Sequence, residues 1–177
     1  MSLHVMIDLE TLSTHNFACI LSIGSCKFDP DGLIIIDKFH VGVDPESCQR
    51  IGLRIDAPTV MWWLDPQHDA ARVALKALAR VTIHEALDGF AQWFGQTSLP
   101  TWGSGATFDN VIMRNAFTLA GIECPWKFWD DRCFRTLKNL APGIAPPRQG
   151  LEHSAVDDAV YQAETMQVIV KHLGLKL

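Results

Sequence analysis

A change of hydrophobic period partway along the chain narrows the fold more than any other feature of the sequence. Leu3 to Leu9, Ala18 to Phe28 and Leu33 to Val43 are apolar segments rich in strand formers, and each predicts a strand. Asp29-Pro30-Asp31-Gly32 joins the second to the third, and this turn chemistry predicts a hairpin. From Asp56 onward the spacing becomes helical. Pro58 suits the first turn of a short helix carrying Trp62 and Trp63, and Pro66 separates it from a second helix ending near Leu78. Thr82-x-x-Glu85 is a capping box, followed by a core stripe of Ile83, Ala86, Leu87, Phe90, Trp93 and Phe94.

Leu99 to Trp102 predicts a buried strand, and Gly103-Ser104-Gly105 a tight connection. Phe108 to Leu119 predicts a helix closed by Gly121. A short strand near Phe128 leads to a helix from about Arg132 to Ala141, and prolines then mark a loop. Val156, Val160, Ala163, Met166, Val170 and Leu173 predict one face of a final helix. Strands first, then helices interleaved with two more strands, predict an α/β domain built on a mixed sheet. The 177 residues, 48% of them hydrophobic, suit one domain over 1–177 with a core of its own.

Charge and cysteine usage exclude several classes. Fifteen Lys and Arg against twenty Asp and Glu give a formal net charge of -5, which argues against holding nucleic acid by bulk positive charge. The five cysteines include no C-x-x-C pair, so neither a zinc ribbon nor a closed disulfide framework is expected, and a reducing, cytoplasmic setting is. No apolar run approaches a membrane span, and the opening Met-Ser-Leu-His-Val lacks the features of an export signal.

Three places carry candidate chemistry. In Ile7-Asp8-Leu9-Glu10 two acids two apart on a strand share a face, so both carboxylates can converge on one cation. An acid inside an apolar strand costs desolvation free energy unless something compensates it. Asp29-x-Asp31 and Asp44-x-Glu46 share that spacing but sit beside prolines in turn-like sequence, where acids are ordinary. Asp109 follows the small-residue run Gly103-Ser104-Gly105-Ala106. As an acid in a helix's first turn it has an ordinary macrodipole role, while the run allows the close backbone approach of a substrate cleft. In His153-Ser154-Ala155-Val156-Asp157-Asp158, Ser154 and Asp157 satisfy S-x-x-D. Ser154 is then expected to cap the helix with Asp157 returning to its amides, leaving Asp158 without a structural task.

Together, Asp8-x-Glu10, Asp109 and His153-x4-Asp158 resemble the DEDD superfamily of 3′-5′ exonucleases in its His-containing (DEDDh) branch. Met6 to Leu12, Trp62-Trp63, Trp102 to Asn110, Cys124 to Trp129 and His153 to Ala159 look like its compact phage and bacterial group. That group includes a T-even phage exonuclease and a mycobacterial adenylate-trimming RNase. The resemblance implies an RNase H-like mixed β-sheet flanked by helices, and hydrolysis of the terminal phosphodiester of single-stranded DNA or RNA to nucleoside 5′-monophosphates. It assigns Asp8, Glu10, Asp109 and Asp158 as ligands to two divalent cations, Mg²⁺ or Mn²⁺, with Asp8 bridging. His153 becomes the general base. Two such ions would bring the formal charge from -5 to about -1.

The resemblance also implies a grip on a free 3′ end by Leu9, Thr11 and Leu12, with Phe108 near the base or sugar; for Leu9, core packing is an equal alternative. Between Trp126 and Gln149 two acids meet five basic residues, and Arg132 and Arg135, read as one helical turn apart, are expected to track phosphates. The tryptophans invite base stacking, although beside Met61 and Leu64 at least one is expected in the core. Relatives of this group are often dimers, so a homodimer is a further expectation. Two rival readings are a non-catalytic nucleic-acid-binding domain that retains the fold, and a phosphohydrolase built on the dipeptide His68-Asp69.

Overall fold

The computed structural model describes residues 2–105 and 107–177. The head of the chain forms an antiparallel meander of β1 (His4–Thr11), β2 (Ile20–Phe28) and β3 (Ile35–Val43). The turn before β3 closes as its sequence predicts, with the Gly32 amide donating to the Asp29 carbonyl at 3.1 Å. Helices α1 (Pro45–Arg50), α2 (Ala57–Leu64) and α3 (Asp69–Ala77) follow, then β4 (Arg80–Val81), α4 (Ile83–Phe94), β5 (Thr101–Gly103) and α5 (Asp109–Ala120). The chain closes with β6 (Asp131–Cys133), α6 (Phe134–Leu140) and α7 (Ala155–Leu173). The sheet order is β4-β3-β2-β1-β5-β6, with β5 parallel to both β1 and β6 and β4 parallel to β3. This is the mixed sheet flanked by helices that the patterning predicts.

Alternation along β1 sorts its side chains between two cores. Val5, Ile7 and Leu9 join Ile83, Leu87 and Phe90 of α4 and Ile112, Met113 and Phe117 of α5. Met6 faces the other way, with Phe28 and Trp102, against Ala159, Ala163, Met166, Ile169 and Val170 of α7. By the same alternation Asp8 and Glu10 share the face of Met6. The acid pair therefore belongs to the side of the sheet that α7 covers.

The fit of α7 differs from the expected stripe. Val156 and Val160 are half-buried and Leu173 is exposed, whereas Ala155, Ala159 and Ala163, four residues apart, are buried with Met166 and Val170. The cause is proximity. A Cβ built on Gly24 would lie 2.0 Å from the Ala155 carbonyl carbon and 2.2 Å from the Val156 nitrogen, so only a glycine in the strand and methyl side chains on the helix allow this approach. Gly24 is the register partner of Asp8, which puts the start of α7 directly over the first acid.

Local chemistry explains the other elements. The capping box of α4 is complete, with Thr82 Oγ1 accepting from the Glu85 amide and Glu85 Oε2 accepting from the Thr82 amide. Helix α1 lies where the sequence suggested a turn: Asp44 is its N-cap, accepting from the amides of Glu46 and Ser47. Residues 128–130 form a 3₁₀ turn, and the sheet then claims Asp131–Cys133. Arg132 is therefore a strand residue, and it does not sit one helical turn from Arg135 of α6. Among the described residues, no helix is long and apolar enough to cross a membrane.

Gly24→Ala should destabilise the protein by about 3 kcal/mol or prevent folding, because the added methyl meets backbone that no rotamer change can move. Urea denaturation measures this, and a stability within about 0.5 kcal/mol of wild type would contradict the close approach.

Candidate active site

Asp8 and Glu10 project from the end of β1 toward the first turns of α7. Asp8 Oδ1 accepts from Gln162 Nε2 at 2.7 Å. Asp109, in the first turn of α5, is buried, yet both its oxygens are used: Oδ1 accepts from the Leu9 amide at 3.2 Å and Oδ2 from the Ser104 amide at 2.8 Å. This carboxylate thus staples α5 to the loop after β5 and to the strand bearing the other acids. A Cβ on Gly103 would fall 2.4 Å from Asn110 Oδ1 and 2.9 Å from Asp109 Cβ, so the small residue is what lets the staple close. Ala106 of the same run lies outside the described residues. Glu10, His153 and Asp158 each offer a ligand atom within 4.8 Å of the others.

The start of α7 is built differently from the expected cap. Ser154 occupies the N-cap position, but its hydroxyl makes no capping bond. Asp157 Oδ2 instead accepts from the Leu151 amide at 3.0 Å, and Asp158 Oδ2 accepts from the His153 amide at 2.9 Å. His153 adopts a left-handed backbone, φ 61°, uncommon for a residue other than glycine; the bond from its amide to Asp158 helps hold it there. Asp158 therefore does have structural work, and it also forms an ion pair with Arg148.

These acids are costly neighbours. Burial, then the charges of Asp109, Glu10 and Asp158, raise the Asp8 carboxyl well above the ordinary carboxylate range, with the Gln162 amide partly offsetting them. Burial and then Asp158 and Asp109 push Glu10 up to about 8. Burial lifts Asp109 to about 6, against the pull of its backbone donors. Such a set of hard oxygen donors, desolvated and mutually repelling, matches the preference of small divalent cations.

Beside the acids opens a cavity of about 420 Å³ lined by Leu9, Glu10, Thr11, Trp62, Trp63 and Phe108, together with Thr14, Pro58 and Thr59. Leu9, Thr11 and Phe108 thus meet where a substrate pocket was expected. Leu12 does not reach it. Its side chain packs between two apolar clusters, its amide donates to the Cys19 carbonyl and its carbonyl accepts from the Asp56 amide. Arg132 is also elsewhere, spending its guanidinium on the carbonyls of Trp129 and Asp131. Arg135 lies closer, donating to the Ser104 carbonyl at 2.8 Å beside the Asp109 loop.

The two tryptophans divide as expected. Trp63 is buried and donates to the Thr11 carbonyl at 2.8 Å. Trp62 is 39% exposed, stacks on His68 with ring centroids 3.7 Å apart and meets His153 edge-on at 5.0 Å. His68 is buried in this ring cluster, and Asp69 pairs with Arg72 one turn along α3. The single His/Cys/Asp/Glu group suited to a metal among the described residues contains neither, so the phosphohydrolase reading has no ligand set. Sequence reasoning passed over Gln162, counted Arg148 only among the basic residues of its segment, and read His68 only as half of a phosphohydrolase dipeptide. For Gln162 a signal existed, a polar residue on the buried face of α7 one turn after Asp158.

The fold and this carboxylate cluster define a class, the RNase H-like nuclease fold of DEDDh exonucleases. The zinc-bound E. coli exonuclease I–ssDNA complex superposes with TM-score 0.70 at 14% identity, over 98% of this chain and 41% of that one. An exonuclease I from Methylocaldum szegediense gives 0.68 at 12% identity, over 98% and 41%. The nuclease domain of 3′hExo, a DEDDh family member bound to rAMP, gives 0.63 at 15%, over 99% and 94%. The chain thus spans about two fifths of the exonuclease I structures and nearly all of the 3′hExo domain. The family is more specific: residues 3–170 match the 3′-5′ exoribonuclease Rv2179c-like domain, and the chain belongs to that family. No curated protein matches the sequence.

Because the folded state holds protons on Glu10 and Asp8 more tightly than the unfolded chain does, stability should fall as pH rises from about 4.5 to about 8. In EDTA the Tm is expected to drop by about 5 °C or more across that window, and Glu10→Gln should flatten the drop. A Tm that climbs with pH there would contradict the burial argument.

Proposed function

We propose that this chain is a divalent-cation-dependent 3′-5′ exonuclease acting on the free 3′ end of single-stranded nucleic acid, with RNA preferred, and releasing nucleoside 5′-monophosphates. The observation that carries the reading is the convergence of Asp8, Glu10, Asp109 and Asp158 with His153 at the end of one strand. Asp8, Glu10, Asp109 and Asp158 would hold two Mg²⁺ or Mn²⁺ ions, which supply positive charge for the attacking and leaving oxygens of an in-line displacement. Membership of an exoribonuclease family supports RNA; the 3′hExo structure contains rAMP, and exonuclease I complexes contain single-stranded DNA.

Each residue then has a physical task. His153 takes the proton of the attacking water, its ring steadied by the edge contact with Trp62. Leu9, Phe108 and Trp62 offer apolar faces to the terminal base, and Thr11 lies among them as a polar partner for the sugar. Gln162 holds one oxygen of Asp8 and fixes the direction in which the other points. The Asp109 staple keeps Leu9, a wall of the pocket, in register with the acids.

The test uses 5′-labelled single-stranded RNA and DNA of one sequence, with Mn²⁺ or with EDTA. The labelled strand should shorten stepwise from its 3′ end only with the cation, and faster for RNA. Asp8→Asn or Asp158→Asn should lower the rate at least about 100-fold while the Tm shows a folded protein. Undiminished shortening by both variants, or shortening in EDTA, would overturn the reading.

A further inference from the structure

Arg148 lies in the irregular stretch 141–154 between α6 and α7. Its guanidinium is held on three sides: Nη2 pairs with Asp158 Oδ1 and lies 3.4 Å from the Leu151 carbonyl, while the guanidinium carbon sits 4.8 Å from the centre of the Tyr161 ring. The side chain remains 28% exposed and that of Asp158 15% exposed. Arg135, the other arginine beside the acids, is committed to the Ser104 carbonyl. Among the described residues, Arg148 is thus the cation in direct contact with the carboxylate cluster.

We infer that Arg148 is an exchangeable counter-ion: it neutralises Asp158 while the site holds no cation, yields that carboxylate when a divalent ion binds, and is then free to engage a substrate phosphate. The inference rests on the cation-dependent reading above. Asp158 Oδ2 is tied to the His153 amide, so the replaceable partner is the one on Oδ1. A divalent ion and a guanidinium on the same carboxylate repel each other, and their binding is mutually antagonistic. The backbone on either side is pinned. Pro146 and Pro147 precede Arg148, and Gly150 packs so tightly on Asp157 that a Cβ there would come within 2.7 Å of its carboxyl carbon. The exchange is therefore a rotation of the arginine side chain, which leaves α7 in place. A guanidinium released at the rim of the site suits bidentate contact with phosphate.

Mn²⁺ binding to the EDTA-stripped, dialysed protein, followed by electron paramagnetic resonance of the free ion, separates the possibilities. Arg148→Gln should bind Mn²⁺ about fivefold more tightly or better than wild type, and should show a raised KM for a single-stranded oligonucleotide. Tyr161→Leu, which keeps the charge but removes its platform, should shift Mn²⁺ affinity in the same direction by less. Equal or weaker Mn²⁺ affinity in Arg148→Gln would overturn the exchange while leaving the nuclease reading intact, since a merely supporting arginine gives that result. Tighter Mn²⁺ binding with unchanged KM would overturn the transfer to phosphate. Failure of both wild type and Arg148→Gln to bind Mn²⁺ would overturn the cation-dependent reading together with this inference.

Discussion

Mutual repulsion among carboxylates confined to one end of a strand is the constraint around which this molecule is organised. Asp8, Glu10, Asp109 and Asp158 come from three elements, and nothing about like charges brings them together. The scaffold does so by force of packing. Gly24 admits α7 to van der Waals contact with β2, the alanines of α7 keep it there, and the Asp109 staple draws α5 onto β1. The hydrophobic cores on both faces of the sheet supply the free energy that holds this unfavourable electrostatic arrangement.

The parts of this design that depend on pattern were legible in the sequence. The three opening strands, their turn and the capped α4 follow from period and turn chemistry, and the acids stood out because they interrupt an apolar strand. Features that depend on distances between remote segments were not legible. The alanine ridge of α7 looks like a weak stripe until Gly24 is seen opposite it, and the larger valines one residue away attracted the expectation instead. Arg132 looked helical because its own neighbours permit a helix, whereas pairing with β5 makes it a strand residue. Leu12 follows the acids in sequence, yet backbone bonds to Cys19 and Asp56 turn it into the core.

Asp158 shows why a local motif can mislead about division of labour. S-x-x-D capping would have given Asp157 the helix and left Asp158 to chemistry. Instead the left-handed turn at His153 presents its amide to Asp158, so one carboxylate both anchors the helix start and faces the site. The same turn brings the His153 ring against Trp62, joining the proposed base to a wall of the nucleotide cavity. The overall acidity of the chain fits this arrangement, since part of it is the site. In the function proposed here the substrate is held by bound cations and the cavity, with Arg148 as the one arginine inferred to join them and little help from net charge.

Proton release on cation binding probes the central claim, that these carboxyls are assembled at an electrostatic cost which divalent ions relieve. Calorimetric titration of Mn²⁺ into the EDTA-stripped, dialysed protein near neutral pH, repeated in buffers of different ionisation enthalpy, counts the protons displaced. With Glu10 raised to about 8 and Asp8 raised as well, the account predicts that about one proton or more leaves per protein as the site fills. Saturable Mn²⁺ binding with no proton released would contradict it.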